Sequence, residues 1–202
     1  MKQQERIQKI LIYIALCIIG VVMVFPFLWM LSTSFKTGTE VYSLSLIPKN
    51  FSLNNYIEVL KGSNFPRWFF NSFIVAGVTT ASVLLIDPLV GYTFAKFKFR
   101  GKEPLFIVIL STLMIPTEML IIPWFLMVNK LGWNNSYWSL LFPSLVTAFG
   151  IFLMRQFFSG IPDDLMDAGR IDGLSEFGVY RKIALPLVKP ALSALGIFTF
   201  LG

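Results

Sequence analysis

Histidine is absent from the 202 residues, and cysteine occurs once, as Cys17. A zinc or haem centre therefore has almost nothing to draw on, and an intrachain disulfide is impossible. An enzyme site would want His, Cys or clustered carboxylates in a pocket, and histidine is missing. Charge is scarce too, at 14% of residues, where a soluble domain carries about a quarter. No Gly-x-x-x-x-Gly-Lys-Ser/Thr phosphate loop occurs, and Gly101-Lys102 is the one Gly-Lys pair.

Apolar residues fill the space that charge leaves. They make up 55% of the chain, and the mean hydropathy is +0.71. Several uncharged runs approach or exceed the roughly 20 residues that a helix needs to cross a bilayer. Only helices and closed barrels satisfy their backbone in lipid, and runs of this length specify an all-α, polytopic membrane helical bundle.

Ile10–Leu31 is the first span, preceded by Lys2, Arg6 and Lys9 and followed by no small-residue cleavage site. The second is expected at about Trp68–Ala95, the third at Leu105–Val128 and the fourth at Trp138–Phe158. A fifth begins near Pro190. Its apolar run, Ala191–Leu201, would rise only about 17 Å as a helix, short of the roughly 30 Å hydrocarbon core. The expectation is about five spans in a chain truncated at its C-terminus.

The net charge of +6 is placed beside the spans rather than on one basic face. That placement speaks against nucleic acid. Twelve of the 17 Lys and Arg fall in segments on the N-terminal side of the bilayer and five on the other. The positive-inside rule then puts the N-terminus in the cytoplasm, together with the segment between the fourth and fifth spans.

That segment, residues 159–189, is the charged exception in a greasy chain. In "SGIPDDLMDAGRIDG" (Ser159–Gly173), Pro162 fits the start of a helix, and Asp163 and Asp164 suit the positive end of its dipole. Leu165, Ala168 and Ile171 share one apolar edge, and Gly173 fits a left-handed C-terminal stop. Ser175 caps a second helix, which Pro186 is expected to end. Counting Arg155 just before it, five basic and five acidic residues balance across the loop, unlike a polybasic lipid-binding patch. The residues alone leave two readings open, a docking element for a cytoplasmic partner or a solvated re-entry loop.

The loop reads Asp167-Ala168-Gly169-Arg170-Ile171-Asp172-Gly173-Leu174 and later Ile183-Ala184-Leu185-Pro186. This resembles the Glu-Ala-Ala-x-x-x-Asp-Gly-Ala … Ile-x-Leu-Pro signature of permease subunits of binding-protein-dependent ABC importers. "FPFLWMLSTSFKT", "NSFIVAGVTT", "FAKFKFRGK" and "AFGIFLMRQFF" are similar to its carbohydrate branch, the maltose and glycerol-phosphate type. Asp167, Gly169 and Leu174 depart from the pattern, and Gly169 lowers helix propensity by about 1 kcal/mol relative to Ala. The resemblance implies the type I ABC importer fold, usually of six spans, and no catalytic residue. It makes residues 1–202 one permease domain and 159–189 its coupling loop. In that loop Asp167, Ala168, Gly169, Asp172, Gly173, Ile183, Leu185 and Pro186 would meet the ATPase.

The same resemblance implies the partners: a second permease subunit, two ATP-binding cassette subunits that hold ATP and magnesium, and an extracytoplasmic solute-binding protein. The setting is the bacterial plasma membrane. A secondary transporter or channel is the alternative, but it calls for several intramembrane charges. Only Asp87 and Glu118 qualify, both reckoned near the midplane. Asp87 is expected to be held by hydrogen bonds, with Thr80, Asp87 and Gly91 near one face of the second span. Pro143, Thr147, Gly150 and Met154 form a matching narrow stripe on the fourth. Glu118 and Thr147 are the candidates for lining a translocation path. Trp29, Trp68, Trp133 and Trp138 sit near span ends as interfacial anchors, and Trp124 does not.

Overall fold

A computed structural model describes residues 2–202, with side chains from Arg6 onward. Every regular element among these residues is helical. The chain divides into two compact units, one up to Phe69 and one from Phe70 to Gly202.

In the first unit, α1 (Lys2–Ser34) contains the 29-residue apolar stretch Arg6–Ser34. Its large side chains are exposed all round, as suits a helix whose solvent is lipid. Pro26 sits inside it without ending it. Beyond α1 the chain folds around the ammonium of Lys36, which is fully buried. It donates to the carbonyls of Ser43 (3.2 Å) and Ser45 (2.6 Å) and lies 5.0 Å over the Trp29 ring. Asn55, in the short helix α2 (Asn54–Gly62), donates to the carbonyls of Ser34 (3.0 Å) and Lys36 (2.8 Å). A helix was expected there from "LNNYIEVL".

The second unit is built around α3 (Phe65–Lys96), which begins in the first, and α7 (Ala148–Ser159). Small residues bring them together, as the two expected stripes require. A Cβ on Gly91 would lie 2.8 Å from the Cβ of Met154 and 2.9 Å from the backbone nitrogen of Arg155. Ser82 also donates to the Leu145 carbonyl at 2.8 Å. The core that results joins Val83, Tyr92, Met154 and Phe158 to Met166, Val179, Ala184 and Leu195. Phe94, Phe106 and Ile151 form a smaller one.

Two expected features are corrected. The third span is not one helix. α4 (Lys102–Thr112) and the following helical stretch meet at 88°, with a 3₁₀ turn at Thr117–Leu120 leading into α5 (Ile121–Lys130). Pro116 is responsible. It is extended, with φ −58° and ψ 131°, and it bars its predecessor from helical geometry. The depth reckoned for Glu118 on a straight helix therefore does not hold.

The second correction concerns Pro186, which does not end its helix. After α8 (Asp163–Ile171) and α9 (Glu176–Val179), a π-helical turn at Tyr180–Ala184 leads into α10 (Leu185–Leu187). The Leu185 N–H bonds to the carbonyl of Tyr180, five residues back. This wider turn carries the chain past the proline's missing donor. The break comes at Val188, where α11 (Lys189–Leu201) departs at 79°. The fourth span is itself irregular, with α6 (Trp138–Leu141), a 3₁₀ turn at Phe142–Ser144 and then α7. Among the described residues, three stretches can cross a bilayer by length and composition, and up to five if each bent pair counts as one.

Candidate functional site

The corner of the charged loop, from Pro162 to Ser175, folds as its sequence suggested. α8 starts just after Pro162, and Gly173 adopts φ +83°. The Leu174 N–H then bonds to the Gly169 carbonyl and the Gly173 N–H to the Arg170 carbonyl, both at 3.0 Å. These are the two bonds of a Schellman stop, whose left-handed residue favours glycine. Ser175 caps α9, its Oγ accepting from the Gly178 N–H at 3.2 Å. Arg170 braces the corner. Its guanidinium grips Glu176 through two bonds, 2.7 and 3.1 Å, and Asp167 through one of 2.6 Å. These bonds hold the Glu176 carboxyl below its ordinary range and the guanidinium above its own.

Two faces result. Met166 and Gly169 are buried against the bundle. At Gly169 a Cβ would meet Ile183 Cδ1, the end of a side chain that can turn aside, and would approach Val179 at 3.4 Å. The other face looks away from the bundle. Leu165, Ala168 and Ile171 are all exposed, Ile171 at 86% and the neighbouring Phe177 at 62%. Of the residues the sequence nominated, Asp167, Ala168, Asp172, Gly173 and Pro186 are exposed, Ile183 and Leu185 are half-buried, and Gly169 is buried. They form one braced surface and its support rather than one contact patch.

Sequence reasoning missed Arg170 as the brace, although its i,i+3 spacing from Asp167 was visible. It also missed Lys96, whose ammonium bonds to the Ile161 carbonyl (2.5 Å) and to Asp163 Oδ1 (2.6 Å). That bond, with the charge of Lys96, holds the Asp163 carboxyl below its ordinary value of 3.8. A depressed carboxyl stabilises the fold above that ordinary value and loses its contribution as pH falls through the folded one. Asp163 is exposed, so the effect is small. Asp163→Asn should lower the melting temperature slightly at neutral pH, and the gap to wild type should close below about pH 4. Equal gaps at both pH values would contradict this.

Deeper in the bundle, Asp87 is fully buried. Its carboxyl accepts from the Thr147 N–H (3.2 Å to each oxygen) and from the Thr147 hydroxyl (2.6 Å). Thr147 Oγ accepts in turn from the Gly150 N–H (2.9 Å), capping α7. Asp87 thus serves a helix start inside a span. Thr147 also borders an open cavity of about 290 Å³ with Thr79, Ser144, Phe149 and Phe198. Glu118 is not among its walls. It is exposed in its 3₁₀ turn.

Apolar helices at bilayer length define a membrane-embedded chain that presents a braced, charged loop. Comparison with known proteins gives the family. Residues 88–202 match the family described as "Binding-protein-dependent transport system inner membrane component". The arabinooligosaccharides transport system permease protein AraQ of Halalkalibacterium halodurans is 36% identical over 192 residues, covering 93% of this chain and 69% of its own length. The trehalose/maltose transport system permease protein MalG of Thermococcus litoralis is 30% identical over 204 residues, covering 99% and 73%. A bacterial ABC transporter involved in the import of the acidic polysaccharide alginate contains a chain that superposes with a TM-score of 0.76. It is 26% identical, and the match covers 98% of this chain and 71% of that one. The chain belongs to this family: it is an inner membrane permease component of a binding-protein-dependent transporter, and it works with other transporter components.

Proposed function

We propose that this chain is the permease subunit of an ATP-driven sugar importer, with residues 1–202 as one permease domain whose 159–189 loop docks an ATPase. The partners are a second permease subunit, two ATP-binding cassette subunits and an extracytoplasmic solute-binding protein. The setting is the bacterial plasma membrane, with the N-terminus in the cytoplasm. ATP and magnesium belong to the ATPase subunits, since this chain has no phosphate loop. The sugar class rests on the names of the relatives, which transport arabinooligosaccharides or trehalose and maltose. The orientation rests on the twelve-to-five distribution of Lys and Arg.

One observation supports docking above the others. The loop is held from inside by Met166 and Gly169 and braced at its corner by Arg170, while it leaves Leu165, Ala168, Ile171 and Phe177 uncovered. An apolar helical edge ringed by paired charges suits a helix-in-groove contact. A solvated connector would have no use for an 86% exposed isoleucine at the tip of a braced helix.

The test is uptake by the reconstituted complex in proteoliposomes, with labelled oligosaccharides as solutes. Uptake should require both ATP and the binding protein and should ignore an imposed proton or sodium gradient. Uptake driven by a gradient without ATP would favour the secondary transporter instead. Thr147 and Glu118 are proposed to border the path. Unchanged rate and solute preference in Glu118→Gln would remove Glu118 from it.

A further inference from the structure

Two residues near the cytoplasmic end of α3 reach out of their own helix to the docking loop. Lys96, the last residue of α3, has a side chain only 7% exposed. Its ammonium makes two short bonds that straddle Pro162, to the Ile161 carbonyl before it and the Asp163 carboxyl after it. Neither target is needed to satisfy a lysine, because an exposed ammonium is hydrated at no cost. Burying it here makes sense only if the position of its partners matters.

One turn earlier, the Tyr92 hydroxyl meets Met166 Sδ at 3.9 Å. Its ring packs on Phe158 and Tyr180 at 5.3 and 5.1 Å between centroids. Positions 92 and 96 on α3 thus hold positions 166 and 163 on α8. Two rods joined at a single point can pivot; joined at two points a turn apart, they move as one piece. α3 is in turn locked to α7 at Gly91 and, through Asp87, at Thr147. A contiguous packed chain therefore runs from the docking edge to the cavity beside Thr147.

We infer that Lys96, seconded by Tyr92, is the positioning residue that fixes the angle of α8 and passes its movement to α3. This rests on the docking reading above. It assigns Lys96 to coupling and not to ATPase capture.

The experiment uses the full reconstituted complex and measures ATP hydrolysed per sugar imported. Lys96→Met should co-purify with the ATPase at wild-type stoichiometry and hydrolyse ATP. Import should fall, raising the ATP-to-sugar ratio several-fold. Lys96→Arg, which keeps the charge and donors, should return the ratio close to wild type. Asp163→Asn removes only the exposed partner, cannot unfold the bundle, and should raise the ratio by a smaller factor. Three results would overturn the inference: an unchanged ratio in Lys96→Met, hydrolysis and import falling in step in both Lys96→Met and Asp163→Asn, or loss of the ATPase from the complex. Failure of the docking reading looks different, because then wild type itself captures no ATPase.

Discussion

Ile171→Asp is expected to strip the ATPase subunit from the purified complex while leaving the permease folded and in the membrane. Ile171 is exposed at the tip of α8, beside the Schellman stop, so placing a carboxylate there disturbs no internal contact. In a docked complex the same position would be buried. The substitution then removes an apolar anchor and desolvates a charge, and losses of about 2 kcal/mol or more are common at such positions. That is roughly a 30-fold weaker association, enough for the ATPase to wash off in detergent. The melting temperature should match wild type, which separates lost docking from lost fold. Ala168→Asp, on the same edge, should behave alike, whereas Asp164→Asn on the solvated flank should not. Retention of the ATPase at full stoichiometry in Ile171→Asp would place the contact elsewhere.

The second large effect is expected at Asp87, through stability. Replacing it by leucine leaves the Thr147 N–H and hydroxyl facing an apolar wall inside a span. Each unsatisfied buried group costs about 1–3 kcal/mol, and neighbouring lipid offers no substitute partner. A combined loss near 3 kcal/mol would lower the melting temperature by roughly 6–12 °C on the scale of soluble domains of this size. Asp87→Asn keeps an acceptor oxygen for Thr147 and should lose less than half as much. Thr147→Val removes the hydroxyl, and with it the cap on Gly150, but leaves the N–H in place. The pair Asp87→Leu with Thr147→Val should therefore be less damaging than the sum of the two. Strict additivity would mean that the Asp87–Thr147 contact carries little of the energy.

Much of this was legible in the chain. Long uncharged runs announced membrane helices, because hydrocarbon thickness fixes their length. Ser175 and Gly173 announced the corner of the loop because caps and left-handed stops are local chemistry, and both are found in those roles. Asp87 was expected among hydrogen bonds, and it is. The stripes through Gly91 and Gly150 were expected to face another helix, and they face each other across α3 and α7.

What stayed hidden was direction. Hydropathy over a window is the same for a straight span and for one folded by 88°, so the break in the third span left no mark on composition. Its signal was Pro116, and Pro26 and Pro88 show why that signal is ambiguous: both lie inside continuous helices. Pro186 misled in the opposite sense. A π turn, invisible in composition, absorbs its missing donor and moves the bend to Val188. The struts at Lys96 and Arg170 were equally out of reach. The sequence shows that a lysine ends a span, which orientation explains, but not that 65 residues later a carbonyl waits for it.

Photo-cross-linking from position 171 tests the docking surface most directly. In a Cys17→Ser background, Ile171→Cys labelled with a benzophenone maleimide should, on irradiation of the assembled complex, form an adduct with the ATP-binding subunit. The same label on Leu46→Cys, in the loop assigned to the other side, should form none. The reverse pattern, or an adduct between position 171 and the extracytoplasmic binding protein, would place the loop outside the cell and contradict the account.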